Sequence, residues 1–370
     1  MKDYFLNHPT NKLDKNSTNQ ILKTSKSIFF HKSFDEYKKS PLIELSVLAK
    51  DLNITSLYVK DESFRFGLNA FKVLGASYAV SQILKKNPNV SVFCTATDGN
   101  HGRALAWSAE KYNKKCVVFV PKDTSELRIK AISNHGAKVE MLDLNYEETC
   151  KYAYNISLKM NWELVQDASW DNYKIIPAYI MSGYLSHFIE MENQINSLIK
   201  PDFDILFLQC GVGSWAASAI WYYLNRYGSY KPKIVLVEPT ESCGVFDSFI
   251  KGKRTSPSGN LKTIMAGLNC GIPSKSAWNI IKNGCDGLIK ISDNEVKASM
   301  RLFYNSNIGD SKIISGESGA AGLAGLLKCL NDSKLEGLNK HIGLNKNSRV
   351  LVFNTEGDTD RDSFSKIVEK

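Results

Sequence analysis

The chain lacks any cluster of charge. Its 370 residues carry 47 Lys and Arg against 38 Asp and Glu, a formal balance of +9. The lysines are interleaved with Asn, Glu and Tyr, and no run forms a basic arm. Proteins that bind nucleic acid or membrane surfaces gather such charge on one face or tail, so neither partner is expected. No stretch approaches the roughly 18 apolar residues of a membrane span. The start, Met1-Lys2-Asp3-Tyr4, has no apolar core of the kind that opens a signal peptide, and cytoplasmic residence is expected. There is no Cys-x-x-Cys. The eight cysteines are scattered and read as buried thiols of a reducing compartment, although a Cys270–Cys285 disulfide stays open. The six histidines show no ligand spacing, among themselves or with cysteines, so no metal is expected. Internal repeats and long linkers are missing too.

What is present is a repeating alternation. After about forty polar residues with no clear period, short β-branched or aromatic runs are followed by longer amphipathic segments. Strands are expected at 56–59, 91–95, 116–120, 139–142, 163–166, 205–209, 234–237 and 350–353. Helices are expected at 70–86, 101–112, 125–134, 146–160, 177–198 and 214–227. The Gly- and Ala-rich stretch 316–330 reads as a further, closely packed helix, and 251–260 as a loop. Such βαβα order predicts an α/β fold of parallel sheets wrapped by helices. Ligands of such sheets bind at the carboxyl ends of strands, and four of those ends carry unusual residues.

One of them is Gly211-Val212-Gly213-Ser214-Trp215-Ala216. It follows a strand and opens a helix, and Glu238 closes the next strand. This comes close to the dinucleotide-binding fingerprint, and an NAD-dependent oxidoreductase is the remote alternative it allows. Its physical content is narrower: the glycines let backbone N–H groups approach a phosphate. At a second end, Lys72 falls two residues into a helix expected to open at Asn69. Its apolar neighbours mean that the amine either snorkels to solvent or sits in a dry site. A dry site lowers a lysine's pKa and makes it a usable nucleophile. At a third, Thr97-Asp98-Gly99-Asn100-His101-Gly102 is a loop able to wrap a carboxylate. Asp98 there either caps the next helix or serves chemistry. The fourth is Asn354-Thr355-Glu356-Gly357.

Together these segments resemble the fold-type II pyridoxal-phosphate enzymes, relatives of tryptophan synthase β and threonine dehydratase, and more closely the diaminopropionate ammonia-lyase family. The matching stretches are 60–72 (KDESFRFGLNAFK), 95–103 (TATDGNHGR), 165–167 (VQD), Glu238-Pro239, 263–273 (TIMAGLNCGIP), 313–322 (IISGESGAAG) and 354–360 (NTEGDTD). They span most of residues 55 to 362 in family order. The resemblance implies two parallel-sheet, three-layer domains with the active site in the cleft between them. The large domain would hold 1–90 and 170–370, and a small inserted domain 91–169. It implies pyridoxal 5'-phosphate as cofactor, held as a Schiff base by Lys72. Gly211, Val212, Gly213 and Ser214 would cradle the phosphate and Asn100 would bind the ring hydroxyl. Thr355, or else Asn354, would face the pyridine nitrogen. Thr97, Asp98, Gly99 and His101 would bind the amino-acid substrate. The implied reaction is α,β-elimination of D- and L-2,3-diaminopropionate to pyruvate and ammonia, by a homodimer. The Cα protons of the two isomers point to opposite faces of the cofactor, so two bases are needed; Asp98 and Asp167 match the family's pair. The alternative is a threonine or serine dehydratase, or another fold-type II elimination enzyme, which Asp98 argues against.

Overall fold

A computed structural model of the chain describes residues 3–97, 99–195, 201–306 and 309–369. Asp98 and the last residues of the helix expected at 177–198 lie outside the described residues. Eleven strands are formed by the described residues: β1 (Tyr4–Leu6), β2 (Leu42–Glu44), β3 (Ser56–Asp61), β4 (Val92–Ala96), β5 (Lys115–Pro121), β6 (Lys138–Leu142), β7 (Glu163–Leu164), β8 (Ile205–Gln209), β9 (Lys233–Pro239), β10 (Gly287–Ile291) and β11 (Arg349–Asn354). They make two sheets. One has seven strands in the order β1-β10-β9-β8-β11-β3-β2; the other has four, β6-β5-β4-β7. The smaller sheet is parallel throughout. The larger is parallel except for its two edges, β1 on β10 and β2 on β3.

The strand sequences explain this layering. Ile205-Leu206-Phe207-Leu208 is apolar at every position and wholly buried, as a strand covered by helices on both faces must be. Alternate residues go to opposite cores. Leu206, Leu208, Leu236, Leu351 and Phe353 enter one core; Ile205, Phe207, Val237, Val350 and Val352 enter the other. The first core also takes in Phe93, Val118 and Val120 from β4 and β5, so it runs from the large sheet into the small one. The helix Lys72–Lys86 lies at this junction, packed against Ile175–Ile195 on one side and Asn100–Lys111 on the other.

Three strands were not legible in the sequence. β1 is a three-residue edge inside the polar N-terminal segment, β2 a three-residue edge just after it, and β10 a short run that starts on glycine and contains a lysine. The strand expected at 163–166 is only two residues long. Beyond it the Val165 amide still donates to the Cys94 carbonyl (2.8 Å), and the chain then turns, carrying Asp167 away from the sheet. The Gly-rich stretch also begins its helix late, at Ala321. Gly316–Ala320 is a turn pressed against the end of β11, where a Cβ on Gly319 would lie 2.4 Å from Asn354 Oδ1. Cys285 is a free thiol, so the open disulfide is not made. Among the described residues no helix is long and apolar enough to cross a membrane, and no group of three His, Cys, Asp or Glu could hold a metal ion.

Candidate active site

The residues after β3, β4, β7, β8 and β11 converge on one cleft. Lys72, Thr97, Asn100, His101, Asp167, Gln209, Gly211–Ser214, Thr355 and Glu356 all line it, around about 820 Å³ of space free of protein atoms.

Lys72 does not sit where the helix signal placed it. The helix begins at Lys72 itself. Asn69 adopts a left-handed conformation with φ 54° and does not open the helix. Segment 69–71 is instead pinned to the end of β11: the Phe71 amide donates to the Thr355 carbonyl (3.1 Å) and the Gly357 amide to the Asn69 carbonyl (2.9 Å). Tertiary pairing overrides the local cap, and it delivers Lys72 to the cleft in the first helical turn.

Lys72 Nζ donates to Asp167 Oδ2 at 2.6 Å. Lys72 is partly buried in the cleft, yet its pKa is not lowered as a dry site alone would lower it. Burial does push it down, but the Asp167 carboxylate outweighs burial and raises it above the ordinary value. Asp167 shows the counterpart. Burial would raise its pKa, and Lys72 followed by His101 hold it down at about 2. His101 Nε2 bonds the Val165 carbonyl (2.8 Å), so that nitrogen carries the proton. Its Nδ1 is buried without a hydrogen-bond partner among the described residues. Burial chiefly lowers the His101 pKa, which keeps the ring neutral with a free lone pair.

The glycine loop has the form its sequence implies. Gly213 precedes the helix Ser214–Tyr227 with φ 91° and no side-chain cap, leaving the first N–H groups of the helix open to an anion. A Cβ on Gly211 would lie 2.9 Å from Cys270 Sγ, and one on Gly213 2.8 Å from Ile281 Cδ1. Ser214 Oγ donates to the Asp167 carbonyl (2.6 Å), which ties this loop to the residue that holds Lys72. Trp215 points into the interior and donates to His187 Nε2 (3.0 Å). Glu238 is not available to a ribose. It is buried, and its two carboxylate oxygens accept the Val245 and Phe246 amides (2.9 and 2.7 Å).

The other candidates separate. Thr355 lines the cleft, and its oxygen accepts from Gln209 Nε2 (2.9 Å), so its own proton is left to donate. The Asn354 side chain turns instead to Asp61 and the Ile314 carbonyl. Gly99 is outside the lining, and its amide donates to Thr97 Oγ1 (3.0 Å). Residues without an assigned role also line the cleft: Tyr146, Cys270, Ser318 and Glu356. Glu356 accepts from Asn100 Nδ2 (2.5 Å) and from the Ser318 amide (2.9 Å). Its signal was its place beside Thr355 in NTEGDTD, and nothing in its spacing said more.

An anion cradle, a buried amine and a neutral hydroxyl donor suit the phosphate, aldehyde and ring nitrogen of pyridoxal phosphate. Residues 34–345 match the pyridoxal-phosphate dependent enzymes, and the chain belongs to that family. Within it the chain is similar to the diaminopropionate ammonia-lyase of Salmonella typhimurium, at 37% identity over 363 residues, 92% of this chain and 90% of the relative. It is also similar in structure to the Escherichia coli diaminopropionate ammonia-lyase. A crystal structure of that enzyme with an aminoacrylate–PLP azomethine reaction intermediate superposes with TM-score 0.90 at 33% identity, over 99% of this chain and 96% of the other. Another, in complex with D-serine, gives 0.89 at 32% over the same shares.

Proposed function

We propose that the chain is a pyridoxal-phosphate-dependent carbon–nitrogen lyase that converts 2,3-diaminopropionate and water to pyruvate and two molecules of ammonia. The observation that carries the site assignment is the Lys72–Asp167 contact at 2.6 Å, made beside an open glycine loop. The cofactor, when bound, supplies an electron sink that makes the substrate Cα–H acidic. Lys72 supplies the amine that binds its aldehyde carbon. The amides of Gly211, Val212, Gly213 and Ser214 hold its phosphate, Asn100 its ring hydroxyl, and Thr355 donates to its ring nitrogen. Thr97, Asp98, Gly99 and His101 form the loop that binds the substrate carboxylate. A hydroxyl opposite the ring nitrogen adds no formal charge there, which suits an elimination whose leaving group takes the electron pair.

Two carboxylates divide the proton abstraction. Asp167 takes the Cα proton of the L isomer and Asp98 that of the D isomer, with Asp98 also pairing the second ammonium of the substrate. The role of Asp98 rests on its motif alone. Residues 91–169 act as a small domain that closes on the rest and excludes water. The enzyme works in the cytoplasm, which buried thiols suit, and as a homodimer, the default closed assembly.

The test is isomer-resolved pyruvate release. Asp98→Asn should abolish turnover of D-diaminopropionate and spare the L isomer, and Asp167→Asn should do the reverse. Equal losses on both isomers in either variant would overturn the division.

A further inference from the structure

Behind Lys72, outside the lining of the cleft, lies a group with no place in this scheme. Tyr184, on the helix Ile175–Ile195, is wholly buried, and its hydroxyl has no hydrogen-bond partner among the described residues. Leaving a buried hydroxyl unpaired is costly, and a phenylalanine of the same shape would avoid that cost.

Its position is built by two glycines. A Cβ on Gly183 would lie 2.1 Å from the Leu74 carbonyl oxygen, and one on Gly75 would lie 2.5 and 2.7 Å from Tyr184 Cε1 and Cζ. Without them the two helices could not approach so closely, and the phenol ring could not lie against the Lys72 helix. Gly75 is three residues beyond Lys72, so the two share one helical face, and a Cβ there would lean back toward the Lys72 turn. The Tyr184 ring also stands 4.9 Å from the ring of Phe71, the residue before Lys72. The charged groups that act on the phenol are Lys72 and Asp167, and burial keeps it protonated; those that act on Lys72 are Asp167, Tyr184 and Cys270.

The proposed chemistry gives this hydroxyl a use. With the cofactor bound, Lys72 would have to be free of it while substrate is engaged, and would need a partner for its amine during that time. Asp167 cannot remain the partner of Lys72 while it takes a proton from the substrate. An ammonium left alone in a dry site is costly.

We propose that Tyr184 is a positioning residue for Lys72: its oxygen accepts a hydrogen bond from the lysine amine whenever Asp167 is engaged by substrate. The lysine thus has two resting places, the carboxylate observed here and the phenol behind it. This rests on the assignment of Lys72 and Asp167 above.

The experiment uses Tyr184→Phe, which removes only the oxygen. In the holoenzyme, kcat for L-diaminopropionate should fall about tenfold, as for loss of one hydrogen bond to a charged group, with KM unchanged. The alkaline limb of kcat should move to lower pH, because the free ammonium has lost its acceptor. The thermal midpoint should hold or rise. A second readout needs no cofactor. In the cofactor-free Asp167→Asn protein, the pH midpoint for reductive methylation of Lys72 should drop when Tyr184→Phe is added. Wild-type kcat with an unmoved alkaline limb would overturn the proposal. So would a lower thermal midpoint with both pH readouts unmoved, which marks a packing role. If Tyr184→Phe does not fold, site-specific 3-fluorotyrosine at 184 keeps the shape and weakens the acceptor; the same limb must still move. Lys72→Ala tests the underlying assignment separately: a Lys72→Ala enzyme that keeps its activity refutes that assignment, whatever Tyr184→Phe does.

Discussion

Asp167 and Lys72 change each other's chemistry. Each is driven toward its neutral form by burial and back to its charged form by the other. In the cofactor-free protein this pair links stability to pH. The Asp167 carboxyl is depressed below its unfolded value of about 3.9. Its contribution is therefore complete above pH about 4 and is lost as pH falls toward about 2. The Lys72 side has the opposite sign. Its pKa is raised, so its contribution is complete below the unfolded value and lost only in strong alkali. Cofactor-free Asp167→Asn should melt well below wild type at pH 7, because an ammonium is left unpaired in a dry site. The gap should narrow as pH is lowered from 4 to 3. Melting curves of both proteins across that range check it, and a gap independent of pH would mean that the ion pair does not exist in solution.

At the scale of elements, the loop from β3 to the Lys72 helix is held by buried charge. Arg65 binds Glu62 (2.7 Å) and Glu190 (2.7 Å), and Lys60 reaches Glu190 at 3.4 Å. Tyr37 also donates to Glu190 (2.7 Å). Two cations and two anions balance in a region closed to water, and removing one member leaves a charge uncompensated. Glu190→Leu should cost about 3–5 kcal/mol in urea unfolding; a loss under about 1 kcal/mol would place the network on the scale of a surface pair. This network also shows the limit of sequence reading. Residues 60–72 were recognisable as a motif, and Lys72 within it as chemistry. That Lys60, Glu62 and Arg65 are structural was not visible, because their partner Glu190 lies more than a hundred residues away on another helix. The parallel strands were legible because burial on both faces writes an apolar run, as in β8. The start of the Lys72 helix was not, because long-range bonds to Thr355 and Gly357 set it. The pKa of Lys72 was not legible for the same reason: a lowered value was expected only if the site was dry, and the carboxylate 2.6 Å away that raises it could not be seen.

At the scale of the molecule, two sheets present their carboxyl ends to one cleft, and side chains from both sides meet across it. Asn100, after β4, meets Glu356, after β11. Asp167, after β7, meets Lys72 and carries Ser214 on its carbonyl. Ser125 Oγ reaches Asp360 Oδ2 (3.1 Å) at the outer rim. Relatives in this family act on different amino acids, so the scaffold alone does not set the substrate; under the proposed function the carboxylates Asp98 and Asp167 do. The most direct test is pyruvate release by the purified, cofactor-loaded chain from D- and L-2,3-diaminopropionate, beside 2-oxo acid release from D- and L-serine and L-threonine. The account predicts that both diaminopropionate isomers are turned over with kcat/KM at least tenfold above serine and threonine, the discrimination expected of one charge-assisted contact. Negligible turnover of both diamino isomers with brisk turnover of threonine would contradict it.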